Sequence, residues 1–298
     1  MIFIILSVSF RTDIVSFYTP WFIKRFHEGF VDVRNPFNPK LISRISFDNV
    51  DAILFCTKNP HPILPYLKEF NKPILFHVTL TGYKNDIEVY VQNKKQVIED
   101  IKKISEIFGK DRVIVRYDPI FLSKKYSVDY HIRAFNKICD ELDGFVSRII
   151  ISFLDYYKNV SKNKRFLNIL EFSLEDYKKI GISFSNIAHL HHMRIHTCFE
   201  DINLSEYGFD VDDCFSHELA FEMTGKRFSS WKARKEGKCN CVQMVDIGVY
   251  NSCRHLCKYC YANYDENKVL IQSSKHNVNS SLLIGEVEAD DIIKERKK

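Results

Sequence analysis

The feature that most constrains the fold is a repeated order of segments: a short apolar run, a polar cluster, then a stretch with helical periodicity. Short apolar runs that alternate with helical segments are typical of parallel strands joined by crossover helices. The pattern therefore predicts an α/β chain built on a parallel sheet. The predicted strands are residues 2–8, 52–55, 74–80, 113–115, 149–153 and 242–249.

The segments with helical periodicity lie between these runs, and several of them stop at a glycine, the usual residue just past a last helical turn. Such an alternation forms either an open doubly wound sheet or a closed barrel, and a chain of 298 residues has the length of one barrel domain. We favour the barrel. The predicted helices begin near Pro20 and span 63–70, 88–108 (before Gly109), 128–142 (before Gly144) and 174–180 (before Gly181).

The barrel is expected to span residues 1–265, and the more polar segment 266–298 is expected to be a partly ordered C-terminal tail. The 43 basic and 38 acidic residues are interspersed, whereas a nucleic-acid-binding protein usually concentrates its basic residues. The apolar start, residues 1–10, is too short to span a membrane and lacks the features of a signal peptide. We therefore expect a cytoplasmic protein with reduced cysteines, no membrane partner and no nucleic-acid partner.

Seven of the nine cysteines follow residue 197, and three of them form the pattern Cys253-x3-Cys257-x2-Cys260. This spacing lets a short loop give three thiolates to a 4Fe-4S cluster and leaves the fourth iron without a protein ligand, open to a substrate or cofactor. The alternative is a zinc or redox-inert thiol site, although structural zinc normally has four protein ligands.

A second group of cysteines comprises Cys198, Cys214, Cys239 and Cys241. Four thiolates suffice for an auxiliary 4Fe-4S cluster or a structural zinc, and unlinked thiols are the third option. The two remaining cysteines, Cys56 and Cys139, are expected to pack in the core.

The Cys-x3-Cys-x2-Cys loop resembles that of the radical S-adenosylmethionine (SAM) superfamily, with Tyr259 in the aromatic position before the last cysteine. Over nearly its full length the chain also resembles an uncharacterised family of predicted radical SAM proteins whose cluster loop is C-terminal. The motifs that carry this second resemblance are Arg-Thr-Asp-Ile (11–14), Arg-Asn-Pro-Phe-Asn-Pro (34–39), Thr-Lys-Asn-Pro (57–60), Arg-Tyr-Asp-Pro (116–119) and Asp-Ile-Gly-x-Tyr-x-x-Cys (246–253).

The resemblance implies a circularly permuted TIM-like (β/α) barrel of radical SAM type, in which the strand before the cluster loop comes last. It also implies that SAM binds the open iron and that an electron from the cluster cleaves it, giving methionine and a 5'-deoxyadenosyl radical. A flavodoxin or ferredoxin would donate that electron. The substrate, small molecule or macromolecule, is not indicated.

Polar residues at the carboxyl ends of the predicted strands are candidates for the site, because loops after barrel strands share one rim. An arginine there can hold the methionine carboxylate of SAM, or an anionic substrate, by two parallel hydrogen bonds. The alternative for each residue is a surface salt bridge. The candidates for catalysis are Arg11, Asp13, Arg116 and Asp118, and those for cofactor binding are Asp13, Arg34, Asn35, Lys58, Asn59 and Tyr259.

Among these residues, Asp13 is expected to hold the SAM amino group. The glycine-glycine-glutamate motif that many radical SAM enzymes use for this contact is not visible, and the strand before Asp13 would neighbour the cluster strand in a permuted barrel. Two other functions remain open: an iron-sulfur electron-transfer or sensor protein that does not cleave SAM, and a zinc-stabilised nucleic-acid-binding module.

Overall fold

The structure is a computed structural model and describes residues 3–198, 200–230 and 240–296. Within these residues, ten strands form two sheets. The strands are β1 (Ile4–Val8), β2 (Phe30–Arg34), β3 (Leu41–Ser46), β4 (Val50–Thr57), β5 (Ile74–Thr79), β6 (Val113–Ile120), β7 (Arg148–Phe153), β8 (Arg194–Thr197), β9 (Met244–Asp246) and β10 (Ile292–Glu295).

The central sheet has seven strands in the order β8-β7-β6-β5-β4-β1-β9, and every neighbouring pair is parallel. All six predicted strands belong to it. Strand β9 pairs with β1, as the permuted order predicts, and Leu6 lies opposite Val245. Because the strands are parallel, their carboxyl ends share one edge. Among the described residues no pairing joins β8 to β9, so the sheet is open and a closed barrel is not found.

Helices cover the sheet, and none within the described residues combines the length and apolar character needed to cross a membrane. They are α1 (Ile14–Phe17), α2 (Thr19–Glu28), α3 (Lys94–Phe108), α4 (Val128–Leu142), α5 (Lys158–Leu167), α6 (Leu174–Leu190), α7 (His217–Thr224) and α8 (Glu266–Ser273). Short 3-10 helices lie at Phe47–Asn49, His61–Glu69, Lys110–Arg112 and Ser205–Tyr207.

Two predicted helix boundaries are wrong for identifiable reasons. Helix α3 begins at Lys94 rather than near residue 88, because the Asn93 side chain accepts a hydrogen bond from the Lys95 amide and caps the helix. Helix α6 continues through Gly181. This glycine permits close packing: a Cβ atom there would lie 2.5 Å from Tyr207 Cδ2.

The core lies on both faces of the central sheet, as the alternation of side chains along a strand requires. On one face, Leu6, Ile53 and Phe76 join the core formed with the helices. On the other face, Ile5, Leu54 and Leu75 join a cluster that contains Phe215 and the α7 residues Leu219, Ala220 and Met223. The face that would line the interior of a barrel is therefore packed against α7 and the segment before it.

The second sheet has three strands in the order β10-β3-β2 and includes part of the predicted tail. Strand β10 pairs in parallel with β3. The C-terminal segment is also fixed to α2, because Trp21 Nε1 donates a hydrogen bond to the Ser280 carbonyl at 2.8 Å. The tail thus contributes a helix, α8, and a paired strand.

Candidate functional site

A cavity of about 860 Å³ lies at the edge where the parallel strands end. Loops that follow β1, β4, β7, β8 and β9 contribute to its walls together with residues of β6, so residues distant in sequence meet there. Of the predicted site residues outside the cysteines, Arg11, Asp13, Lys58, Arg116, Asp118 and Tyr259 line this cavity.

The three cysteines of the loop after β9 also line the cavity, and each is partly buried. Sulfurs bound to one tetrahedral zinc are about 3.8 Å apart. Within the described residues, three potential ligand atoms all within 4.8 Å of one another occur only at Glu288, Asp290 and Asp291. The thiols of Cys253, Cys257 and Cys260 therefore do not all lie within 4.8 Å of one another, so at least one pair is wider than two ligands of a single zinc ion.

Burial has the largest influence on the pKa of these three thiols. It raises the pKa of Cys253, Cys257 and Cys260, that of Cys257 to about 12, and for Cys253 and Cys257 the neighbouring cysteines act in the same direction. Without a bound cation the three side chains are thus neutral thiols at physiological pH. A positively charged metal group would be the natural partner that converts them to thiolates.

The Asp13 carboxylate ties the cysteine loop to the central sheet. Its Oδ2 accepts hydrogen bonds from His255 Nε2 at 2.9 Å and from the Lys58 amide at 2.8 Å. Its Oδ1 accepts from the Ser16 amide at 2.9 Å and from Thr57 Oγ1 at 2.8 Å. Burial alone would raise the pKa of Asp13, but the His255 contact and the two amides hold it below its usual value. Four donors fill the capacity of one carboxylate.

A second anchor of the loop is the buried carboxylate of Glu88. It pairs with Lys58 Nζ at 2.9 Å and with Lys94 Nζ at 2.8 Å, and it accepts a hydrogen bond from the Tyr259 hydroxyl. Burial would raise the pKa of Glu88, but the two lysines lower it far below its usual value. Tyr259, the aromatic residue of the cysteine motif, is thereby fixed beside Lys58.

Two arginines that line the cavity, one after β1 and one within β6, each pair with an acid. Arg11 Nε contacts Asp246 Oδ2 at 2.8 Å, which joins the end of β1 to the end of β9. Arg116 contacts Asp118 Oδ2 at 2.6 Å, and the Ser152 hydroxyl holds the other oxygen of Asp118. Arg11, Arg116 and Asp118 line the cavity, and Asp246 lies behind Arg11 as its partner.

Three members of the second cysteine group, Cys198, Cys214 and Cys241, line the same cavity. The sulfurs of Cys198 and Cys214 are 2.6 Å apart. Hydrogen bonds from Cys198 and Cys241, together with the Arg116 guanidinium, lower the pKa of the Cys214 thiol despite its burial. The fourth member, Cys239, lies outside the described residues.

The structure does not bring every candidate to the cavity. Arg34 ends a strand and Asn35 follows it, but that strand, β2, belongs to the second sheet, where Arg34 pairs with Asp291. The Asn59 side chain accepts a hydrogen bond from the His61 amide and is not part of the cavity wall. Cys139 is buried in the core as predicted, whereas Cys56 lies partly exposed on the cavity wall.

The sequence reasoning missed three residues of this region: Glu88, His255 and Glu200. Glu200 lines the cavity and accepts a hydrogen bond from the Phe153 amide at 2.8 Å, and burial raises its pKa to about 8. His255 could have been noticed, because it lies inside the cysteine motif. Glu88 gave no signal, since it stands in a stretch rich in charged residues that is typical of a solvated surface.

A family model described as a domain of unknown function, DUF1848, matches residues 5–262, which includes all but the first residue of the central sheet and all nine cysteines. No curated protein matches the sequence significantly.

Proposed function

The chain belongs to the DUF1848 family of unknown function, so its activity has to be inferred from its own residues, and we propose that it is a radical SAM enzyme. The observation that carries the proposal is the position of Cys253, Cys257 and Cys260 on one loop at the wall of a large cavity. Three thiols that do not all lie at single-ion spacing fit a 4Fe-4S cluster with one iron left for SAM.

The bound cluster would supply the electron that cleaves SAM to methionine and a 5'-deoxyadenosyl radical, which then takes a hydrogen atom from the substrate. A small reduced protein of the flavodoxin or ferredoxin type would reduce the cluster again after each cleavage. In this proposal the residues of the chain hold and orient the loop: Asp13 through His255, Glu88 through Tyr259, and Arg11 through Asp246.

The size of the cavity favours an enzyme over a simple electron-transfer protein. Sites for small molecules and cofactors typically measure about 300–1,000 Å³, and this cavity, at about 860 Å³, is near the upper end. An electron-transfer cluster needs a surface for its partner but no such space.

The strand order supports the finer proposal that the fold is a permuted, open form of the radical SAM barrel. Strand β9, last in the chain, lies beside β1 at the end of the sheet. Its loop therefore starts from the same edge as those of the other strands. Tyr259 lies on this loop and Lys58 lies beside the Tyr259 ring, and we propose that these two predicted cofactor-binding residues contact SAM.

The test is SAM cleavage by anaerobically reconstituted protein. With dithionite as reductant, the wild-type chain should release 5'-deoxyadenosine and methionine, detected by liquid chromatography and mass spectrometry. The triple variant Cys253→Ala/Cys257→Ala/Cys260→Ala should release neither, because it lacks the ligands of the open cluster.

Cys139→Ala is the matched control, since Cys139 is buried in α4 away from the cavity, and it should retain cleavage. A wild-type protein that carries its full iron and sulfide but leaves SAM intact under these conditions would contradict the proposal and favour an electron-transfer or sensor role.

A further inference from the structure

Two sulfurs of the second cysteine group lie closer together than the ligands of a metal. Cys198 directly follows β8 and Cys214 precedes α7, yet their Sγ atoms are 2.6 Å apart. Thiolates on one tetrahedral zinc are about 3.8 Å apart, and thiolates on separate irons of a cluster are no closer. The contact therefore fits two thiols that are placed to join in a disulfide.

The surroundings favour Cys214 as the thiolate of the two. Its sulfur accepts hydrogen bonds from Cys198, from Cys241 and from the Arg116 guanidinium, and these contacts lower its pKa. A permanent positive charge beside a partly accessible sulfur is typical of reactive cysteines. Cys198 has the opposite role, because its hydrogen bond to Cys214 raises its own pKa. The two residues thus form a thiolate next to a thiol that holds a proton.

Both sulfurs can be reached from a cavity. Cys198 and Cys214 line the cavity of about 860 Å³ and also an adjoining cavity of about 460 Å³. Cys198 is partly exposed. Cys139, by contrast, is fully buried in α4 and lines neither cavity, as an inert core cysteine does. A small molecule in either cavity would therefore meet the two sulfurs.

The smaller cavity has an acidic wall. The described residues that line it include no lysine, arginine or histidine. Asp210 and Asp212 pair with Arg194, which is not part of the wall, whereas Asp213, next to Cys214, accepts a hydrogen bond from the Asn240 amide at 2.8 Å. A cleft lined by charge of one sign raises the local concentration of ions of the opposite sign. The wall therefore favours a small molecule that carries positive charge.

We propose that Cys198 and Cys214 are a redox-active pair that reduces small disulfides bearing amino groups. The Cys214 thiolate attacks one sulfur of the disulfide R–S–S–R, which forms a mixed disulfide and releases RS⁻. Cys198 gives its proton to this leaving group, and its sulfur then attacks Cys214 Sγ. The products are the Cys198–Cys214 disulfide and two molecules of R–SH, the second of which takes its proton from solvent.

In this exchange two electrons pass from the protein to the small disulfide, and no metal takes part. The proposal is therefore independent of SAM cleavage at the loop after β9.

Anaerobic incubation of the reduced full-length protein with cystamine tests the proposal. Unreacted thiols are alkylated, and the peptides are identified by mass spectrometry. The wild type should form the Cys198–Cys214 disulfide, Cys198→Ser should stop at a mixed disulfide on Cys214, and Cys214→Ser should form neither. Cys139 is the internal control and should be recovered as an alkylated thiol in every sample.

Two further substitutions test the charges. Arg116→Gln should slow formation of the disulfide several-fold, because it removes the positive charge beside Cys214, whereas Arg133→Gln, at an exposed position of α4, should not. Asp213→Asn should lower the ratio of the rate with cystamine to the rate with the anionic reagent 3,3'-dithiodipropionate. The ratio is used because the two reagents differ in intrinsic reactivity.

The wild-type experiment decides the matter even if a variant fails to fold. The proposal is wrong if cystamine leaves Cys198 and Cys214 as alkylated thiols, or if their disulfide persists after treatment with reductant. It is also wrong if the wild type holds iron or zinc that Cys198→Ser/Cys214→Ser loses. An unchanged rate ratio in Asp213→Asn would contradict the preference for disulfides that bear amino groups.

Discussion

At the scale of single residues, Asp13 is the most informative position. Its carboxylate has four hydrogen-bond donors, two of them backbone amides, and one of the other two is His255 from within the cysteine motif. A group whose acceptors are all in use is poorly placed to bind the SAM amino group as well. The contacts indicate a positioning residue that fixes the cysteine loop against β1.

The substitution Asp13→Asn distinguishes a role in positioning the cysteine loop from a role in binding SAM. An amide at this position can accept hydrogen bonds through only one oxygen, and its NH2 group would face a donor, so we expect the metal-free protein to lose about 2 kcal/mol of stability. We also expect the variant to retain less iron after reconstitution. Urea unfolding of the metal-free protein and iron analysis measure the two effects.

Asp48→Asn is the matched control, since Asp48 is exposed in a short 3-10 helix, and it should change neither quantity. If Asp13→Asn instead keeps the wild-type stability and iron content but loses 5'-deoxyadenosine release, then Asp13 contacts SAM and the positioning role is wrong.

At the scale of secondary-structure elements, the C-terminal strand β10 is held by charge pairs rather than by apolar packing. All four of its residues are exposed. Arg34 Nη1 and Nη2 contact the two carboxylate oxygens of Asp291 at 2.6 and 2.8 Å, directly before the strand. Such a bidentate pair fixes geometry as well as charge.

The expected consequence is that Asp291→Asn loosens β10 without affecting the central sheet. Amide hydrogen exchange in residues 292–296 should become several-fold faster, while exchange in β5 stays unchanged. Asp290→Asn is the control, because the ion pair of Asp290 is with the exposed Lys40, and this substitution should accelerate exchange less. Equal exchange rates in wild type and Asp291→Asn would show that the backbone pairing with β3 is sufficient.

The elements that could be predicted from sequence are those with strong periodicity. Helix α4 has the predicted bounds, 128–142, because one face is apolar along its whole length and Ser127 caps it. Strands β2, β3, β8 and β10 were missed, because their sequences mix charged or polar residues with apolar ones. Gly181 was mistaken for a helix end, since the Tyr207 ring that packs on it is distant in sequence.

At the scale of the whole molecule, the parallel sheet and the convergence of its strand ends followed from the order of apolar runs and polar clusters. The barrel did not. Whether a parallel sheet closes depends on what covers its second face, and here α7 and Phe215 pack on it. The cavity residues at the ends of β1, β4 and β6 were predictable for the same topological reason, whereas Glu88 and Glu200 acquire their roles only through burial and contacts.

Stability of the whole molecule should depend on pH through a histidine that is buried in the neutral form. His131 is fully buried, its Nε2 lies 3.0 Å from the Phe121 carbonyl, and its Nδ1 lies 2.9 Å from the Tyr117 hydroxyl. A carbonyl can only accept, so Nε2 carries the proton and Nδ1 accepts from the tyrosine. Burial lowers the pKa of His131 to about 4, against 6.5 for the unperturbed group.

Because the folded pKa is the lower one, the unfolded state binds a proton first as the pH falls, and stability decreases from about pH 6.5 down to about pH 4. Protonation of this group alone should lower the free energy of unfolding by about 2 kcal/mol between pH 7 and pH 5. Urea unfolding of the metal-free, reduced protein at the two pH values measures this loss. The decrease in the free energy of unfolding from pH 7 to pH 5 should be about 2 kcal/mol smaller in His131→Gln than in wild type. His189→Gln, which removes an exposed histidine of α6, should leave the drop unchanged. An equal drop in wild type and His131→Gln would mean that His131 is already protonated, or free to protonate, in the folded chain.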